Sequence, residues 1–188
     1  MSAIVGLYNL DENPVHRSDV ELMLGKLAHR GSDAMGLWSD GCIGLGHRML
    51  WTTPESLQEK LPLVSQSGDC VVTADARIDN RDELISRLGL TDHSSWEIAD
   101  SQLILAAYEK WGEDCAEKLL GDFAFAIWDA RRQKLFCARD PVGVKPFYYY
   151  HSDRVFVFAS EIKAVLCLEE VPRKLNEVKV ADYLVPIF

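Results

Sequence analysis

The segment Phe123-Ala-Phe-Ala-Ile-Trp-Asp129 is apolar except at its last residue, and a short turn leads from it into Lys134-Leu-Phe-Cys-Ala138. Aromatic and apolar side chains on both sides of a turn are typical of a β-hairpin. A second pair of such segments follows at 147–150 and 154–159. Because short hairpin connections join antiparallel strands, this part of the chain predicts antiparallel sheets.

Helical spacing alternates with strand patterns in the rest of the chain. Apolar residues recur at helical spacing in 20–27, 84–88 and 103–111, and Ser18 with Glu21 predicts a capping box at the first of these helices. Further strands are predicted at 3–10, 42–51 and 70–78, the first of them buried on both faces because it is almost continuously apolar. We therefore expect an α+β fold with helices packed on sheets.

Composition restricts the class of protein. The 188 residues suffice for one domain, and 48% apolar with 26% charged residues is typical of a soluble globular chain. A net charge of −9 argues against nucleic acid or an anionic membrane as partner. The longest apolar run is too short to span a bilayer, and no basic region marks a signal peptide. Five cysteines without a CxxC pair favour a reducing, cytoplasmic location.

The residues alone offer one candidate for chemistry. There is no metal-binding motif and no phosphate-binding glycine loop, so we expect neither a metal nor a cofactor in this domain. The five histidines are interpreted as surface or core hydrogen-bonding residues. Ser2 would carry both a hydroxyl and a free α-amine if Met1 were removed, and such an amine, with a pKa near ~8, can act as a general base. Many proteins begin Met-Ser, so this pattern by itself is weak evidence.

Five motifs occur in order along the whole chain: His29-Arg-Gly-Ser-Asp33, Leu45-Gly-His-Arg48, 119–129, 138–149 and Phe158-Ala-Ser-Glu-Ile-Lys-Ala164. Together they resemble the N-terminal glutaminase domain of asparagine synthetase-like proteins, the class II glutamine amidotransferases. The resemblance implies an αββα sandwich of antiparallel sheets, of the N-terminal-nucleophile hydrolase type. It places a glutaminase-like domain at 1–170 and, at 171–188, the start of a linker to an absent ATP-dependent synthetase domain.

The resemblance also implies a reaction and a partner. In the family, an N-terminal cysteine attacks the side-chain amide of glutamine, and the released ammonia passes to a synthetase domain that activates a carboxylate with ATP. ATP and Mg are therefore expected only in that synthetase domain, which is the expected partner either C-terminal to this one or as a separate protein. The parent protein is expected to be an ATP-dependent, amide-forming ligase.

Carried over residue by residue, the glutaminase site is degenerate. Ser2 stands at the nucleophile position, and a hydroxyl is a poorer nucleophile than a thiol. Met49 replaces the arginine that pairs with the carboxylate of glutamine, a contact that a thioether cannot make. Asp75 and Ala76 replace the Asn-Gly oxyanion hole, where an ionised Asp75 has the wrong sign of charge.

Of two further substrate-binding positions, one is changed and one is retained. Arg77 replaces a carboxylate that helps to hold the substrate, whereas Asp100 is retained and matches the aspartate that binds the α-amine of glutamine. Arg48, next to Met49, is expected to point to the other side of its strand. These losses favour a domain that is inactive as a glutaminase and has a structural or docking role.

The segment 75–84 resembles most the β-lactam synthetases and the macrolactam cyclases of lasso peptide biosynthesis, whose partners would include a precursor peptide or a companion protein. Two alternatives stay open. The first is a working glutamine amidotransferase that uses Ser2, with Arg48 or Arg77 binding the substrate carboxylate. The second is an N-terminal-nucleophile hydrolase acting on another amide, with Arg77 selecting an anionic substrate.

Overall fold

The computed structural model describes residues 1–90 and 97–184, in which the chain forms two β-sheets and five α-helices. The strands are β1 (Ala3–Asn9), β2 (Ala34–Asp40), β3 (Ile43–Met49), β4 (Leu63–Val64), β5 (Cys70–Ile78), β6 (Gly121–Asp129), β7 (Lys134–Arg139), β8 (Tyr148–His151) and β9 (Val155–Ala159). The helices are α1 (Arg17–Lys26), α2 (Arg81–Leu88), α3 (Asp100–Trp111), α4 (Ile162–Val165) and α5 (Glu177–Leu184).

The two sheets have the strand orders β2-β3-β1-β9-β8 and β4-β5-β6-β7. Every pairing within the described part of the chain is antiparallel. In the first sheet, β1 is central and Ala3 lies opposite Arg48, which places Ser2 beside the end of β3. In the second sheet, β5 and β6 pair along their whole length, with Arg77 opposite Asp122.

Three apolar clusters define the stacking of the layers. One cluster lies between the sheets and includes Ile4, Leu45, Trp128 and Phe158. A second cluster lies between the first sheet and helices α1 and α4, and a third lies between the second sheet and helices α2 and α3. Because side chains alternate between the two faces of a strand, each sheet contributes to two of these clusters. The layers therefore follow the order helix, sheet, sheet, helix.

This architecture confirms the predicted αββα sandwich of antiparallel sheets, including the hairpins β6–β7 and β8–β9. The predicted capping box of the first helix is wrong. Helix α1 begins after His16, without a side-chain cap, so Ser18 lies inside its first turn. Glu21 pairs instead with Arg17, one turn earlier on the exposed face.

The apolar core ends before the chain does. Val171 is the last buried residue in the described ranges, and all residues from 172 to 184, including α5, are exposed. The division into a domain at 1–170 and a linker from 171 stays a prediction. Among the helices of residues 1–90 and 97–184, none has the length and apolar character needed to cross a membrane.

Candidate functional site

All six residues expected at the site line a single cavity of about 230 Å³. The cavity lies where the start of β1 and the end of β3 meet the second half of β5, the start of β6 and the start of α3. The strand alternation explains this convergence, because Thr73, two residues before Asp75, faces the first sheet and donates a hydrogen bond to Gly46 O at 3.1 Å. The predicted residues that line the cavity are Ser2, Met49, Asp75, Ala76, Arg77 and Asp100.

Ser2 is buried, and its hydroxyl is hydrogen-bonded to the main chain of Leu50, just after β3, rather than to a side chain that could act as a general base. Its Oγ accepts the N–H of Leu50 at 3.1 Å, and it lies 3.5 Å from Leu50 O and 3.7 Å from Met49 Sδ. No acid, imidazole or amine side chain bonds this hydroxyl in the described ranges. With Met1 in place, the nitrogen of Ser2 is a peptide amide and cannot accept a proton.

Met49 and Arg48 lie on opposite faces of β3. Met49 is 3% exposed and its side chain joins the apolar cluster under the second sheet. Arg48 points to the helix layer, where its Nε donates to Leu24 O in α1 at 3.1 Å. The sequence-based orientation of Arg48 is thus correct, and this guanidinium does not line the cavity.

Asp75 is a buried carboxylate that two cations flank. It is 4% exposed, and Lys145 Nζ donates to its Oδ1 at 2.7 Å. On the other side, Arg30 Nη2 lies 3.9 Å from Asp75 Oδ2. Lys145 and Arg30 are themselves largely buried, so few water molecules screen these charges. The carboxylate expected at this position thus faces two cations of the protein itself.

Arg30 connects this pair to the strand that carries Ser2. Its Nε donates to Ser2 O at 3.1 Å and its Nη1 to Glu161 Oε1 at 3.2 Å. Burial tends to raise the pKa of Glu161, but its bonds from Lys163, His29 and Arg30 outweigh that effect and hold the pKa at about 2. A row of alternating charges therefore runs from the cavity to the surface.

Arg77 lies at the exposed rim of the cavity and is already paired. Its guanidinium makes two bonds to Asp79, from Nε at 3.0 Å and from Nη2 at 3.2 Å, and its Nη2 also lies 3.3 Å from Asp122 Oδ2. The hydrogen bonds and the negative charge of Asp79, together with the charge of Asp122, stabilise the protonated guanidinium and raise the pKa of Arg77. The guanidinium is held by the domain's own acids.

Asp100 is likewise engaged by the protein. One carboxylate oxygen accepts from Arg81 Nη1 and the other from Ile78 N at 3.3 Å. Burial raises the pKa of Asp100 more than these partners lower it. Glu59, which also lines the cavity, has a raised pKa for the same reason, and its Oε1 accepts the N–H of Ser101 at 3.0 Å.

Lys145, Arg30 and Glu59 are the site residues that sequence reasoning missed. Arg30 and Lys145 lie inside two of the motifs that carry the family resemblance, and that position was the available signal. Neither motif states which acid the cation contacts, because Asp75 is separated from Lys145 by 70 positions in the chain. Glu59 lies outside the motifs and gave no signal.

Comparison with known proteins agrees with the fold and with the family that the motifs resemble. A family profile described as "Glutamine amidotransferase domain" matches residues 1–188. The chain is 29% identical over 184 residues to "Asparagine synthetase [glutamine-hydrolyzing] 3" of Bacillus subtilis, a match that covers 97% of this chain. It is 31% identical over 191 residues to "Putative asparagine synthetase [glutamine-hydrolyzing] 2" of Methanocaldococcus jannaschii, over 94% of this chain.

A solved structure shows the same fold at low sequence identity. The glutamine phosphoribosylpyrophosphate amidotransferase of B. subtilis superposes with a TM-score of 0.69 over 86% of this chain and 42% of that one, at 17% identity. The chain spans only 30% and 37% of the lengths of the two asparagine synthetases. It therefore belongs to the glutamine amidotransferase domain family, in the branch that asparagine synthetases carry.

Proposed function

We propose that this domain does not hydrolyse glutamine and acts as a structural and docking module of an ATP-dependent, amide-forming synthetase. The observation that carries the proposal is the buried pair of Asp75 and Lys145, 2.7 Å apart in the cavity that also holds Ser2. A carboxylate at this position accepts hydrogen bonds and donates none, so it cannot stabilise an oxyanion.

The ion pair with Asp75 also argues against Lys145 as a replacement hydrogen-bond donor to the oxyanion. A lysine that donates to an adjacent buried carboxylate gains little by moving to a developing oxyanion, because it would leave Asp75 unpaired. Loss of one oxyanion donor typically costs a factor of ~10²–10³ in rate. The exchange of a thiol for a hydroxyl at Ser2 adds to that cost.

The substrate-binding positions point in the same direction. Met49 offers no positive charge, and Arg48 faces away from the cavity. Arg77 already pairs with two carboxylates, so a glutamine carboxylate or another anionic substrate would have to compete with them for this guanidinium. Asp100 is retained, but Arg81 and the Ile78 amide already occupy its two oxygens.

The parent protein is the second part of the proposal. The lengths of the relatives support a synthetase domain as partner, in which ATP and Mg would act. We further propose a lactam-forming parent, similar to β-lactam synthetases and lasso peptide macrolactam cyclases. Such an enzyme joins an activated carboxylate to an amine of its own substrate and has no use for ammonia.

A working glutaminase is the second candidate, and the relatives' names favour it. Both asparagine synthetases are described as glutamine-hydrolyzing. In that case Ser2 would be the nucleophile after removal of Met1. The main obstacle is the absence of any base on its hydroxyl within the described residues, apart from the α-amine that processing would expose.

Glutamate release from glutamine tests the two candidates. We expect the protein to release no more glutamate than its Ser2→Ala variant, in a sample whose N-terminus has been sequenced to verify removal of Met1. The Ser2→Cys variant is the more stringent test of the inactive-domain proposal, because it restores a thiol nucleophile. We expect it to be inactive as well, since Asp75 and Met49 still lack the required contacts.

Release that depends on Ser2 would overturn the inactive-domain proposal and support the second candidate. Release by Ser2→Cys alone would show that positions 49 and 75 are compatible with catalysis, and that the nucleophile is the only defect. Retention of Met1 in the purified protein is handled by repeating the assay after treatment with a methionine aminopeptidase.

A further inference from the structure

The edge of the first sheet carries exposed aromatic and aliphatic side chains. Strand β8 pairs with β9 and, among the described residues, with no other strand, so its outer backbone groups face away from the sheet. Tyr149 is 67% exposed, and Tyr148 and Ile162 are about half exposed. All three line a groove of about 390 Å³ between β8 and α4. Exposed apolar groups at an open strand edge are typical of an interaction surface.

The loop that leads into β8 carries two further exposed apolar residues. Val142 is 86% exposed and Val144 about half exposed. Two hydrogen bonds hold this loop, because the buried carboxylate of Asp140 accepts the N–H groups of Val144 at 2.8 Å and Lys145 at 3.0 Å. We call Val142, Val144, Tyr148, Tyr149 and Ile162 the apolar edge.

The apolar edge and the candidate site share this loop. Lys145 turns inward to Asp75, whereas Val144 just before it faces outward. Alternation along the loop thus places one residue in the cavity and its neighbour on the surface. A protein that covers Val142 and Val144 would therefore touch the loop that the buried ion pair holds in place.

The chain leaves the core at this same surface. Val171 and Pro172 line the groove together with Tyr148 and Ile162. From Pro172 to Leu184 every residue is exposed, including Val178, Tyr183 and Leu184 on α5. Five extended residues between Val171 and α5 span at most ~18 Å, so any domain that followed this helix would be tethered beside the apolar edge.

We propose that the apolar edge is the surface on which the synthetase domain docks, with α5 covered by the same partner. This inference rests on the proposed function, which supplies the partner. The asparagine synthetases that match this chain have about two thirds of their length outside the matched region, which is ample for a partner of that size. Tethering raises the effective concentration of such a domain at the edge and so favours it over a second copy of this chain.

Photocrosslinking in the full-length protein, with the synthetase in the same chain or as a separate subunit, tests the proposal. p-Benzoylphenylalanine is placed at Tyr149 and, as a matched control, at Leu120, which is 64% exposed and precedes a strand of the other sheet. We expect position 149 to crosslink to synthetase peptides and position 120 to give no such product. Adding Ile162→Glu, at an exposed position, is expected to abolish the product from position 149.

Crosslinks from position 149 to a second copy of this domain, or to no polypeptide, would overturn the proposal. The proposal would also be overturned if the probe at position 120 crosslinked to the synthetase as strongly as the probe at position 149. Glutamate release is measured on the same samples, because it reports on the proposed function independently. A synthetase crosslink together with Ser2-dependent glutamate release would overturn the inactive-domain proposal and leave the docking surface standing.

Discussion

Replacing Asp75 with asparagine is expected to lower the free energy of unfolding by about 3–5 kcal/mol. The substitution keeps the size of the side chain and, by the resemblance, restores the family's own residue. It nevertheless removes the one acid that pairs with Lys145 among the described residues, at 2.7 Å, and it removes the carboxylate that lies 3.9 Å from Arg30. Lys145 is largely buried, and a buried charge without its partner costs several kcal/mol, whereas Arg30 keeps its pair with Glu161. Chemical denaturation of the variant and the unmodified protein measures the difference.

A double-mutant cycle separates the pair from the rest of the site. Lys145→Met removes the ammonium, and the combination of Asp75→Asn with Lys145→Met is expected to recover much of the lost stability. Arg77→Gln is the surface control, since its pairs with Asp79 and Asp122 are solvent-exposed, and exposed ion pairs contribute little to stability. A loss for Asp75→Asn no larger than that of the control would show that the buried pair is not a stabilising feature.

The family motifs explain why the site could be placed from the sequence, while its internal contacts could not. Ser2, Met49, Asp75, Arg77 and Asp100 were aligned by neighbouring motif residues, and all of them line one cavity. Their partners were not predictable, because an ion pair depends on the direction in which two distant strands and loops present their side chains. That an aspartate at this position opposes catalysis stays a prediction. The two cations that flank Asp75 could not be predicted, because they come from distant segments of the chain.

The secondary structure could likewise be predicted where local sequence patterns determine it, but not where pairing between strands does. The hairpins β6–β7 and β8–β9 follow from apolar segments around short turns. Strand β2 has no such signal, because only partly buried residues occupy its middle and its ends are exposed. Its place in the sheet comes from pairing with β3 along seven positions, from Ala34 opposite Met49 to Asp40 opposite Ile43.

His47 is the histidine for which the sequence-based interpretation is wrong. It lies on β3, on the strand face that looks toward the other sheet, opposite Ile4, and is 1% exposed. Neither ring nitrogen has a hydrogen-bond partner among the described residues, so it is not a hydrogen-bonding core histidine. Burial without a partner opposes the charged form and lowers its pKa from 6.5 to about 3.

Acidification is therefore expected to destabilise the fold through His47. Below pH 6.5 the imidazole takes up a proton in the unfolded chain, whereas in the folded chain it stays neutral down to about pH 3. Each pH unit in this window costs about 1.4 kcal/mol, so the loss between pH 6.5 and pH 4.5 amounts to about 2–3 kcal/mol. Denaturation curves at half-unit pH intervals measure the slope.

The matched variant is His47→Met, which has similar volume and no titrating group. We expect it to remove this slope and to be at least as stable at pH 7, because an unbonded buried polar group costs about 1–3 kcal/mol. Glu59 and Asp100 act in the opposite direction on acidification, since burial raises their pKa and the folded state then holds their protons more tightly. The difference between His47→Met and the unmodified protein cancels their contribution. His151→Gln, at an exposed position, is the control and is expected to keep the full pH dependence of the free energy of unfolding. An unchanged pH dependence in His47→Met would mean that the imidazole of His47 is hydrogen-bonded or hydrated in solution.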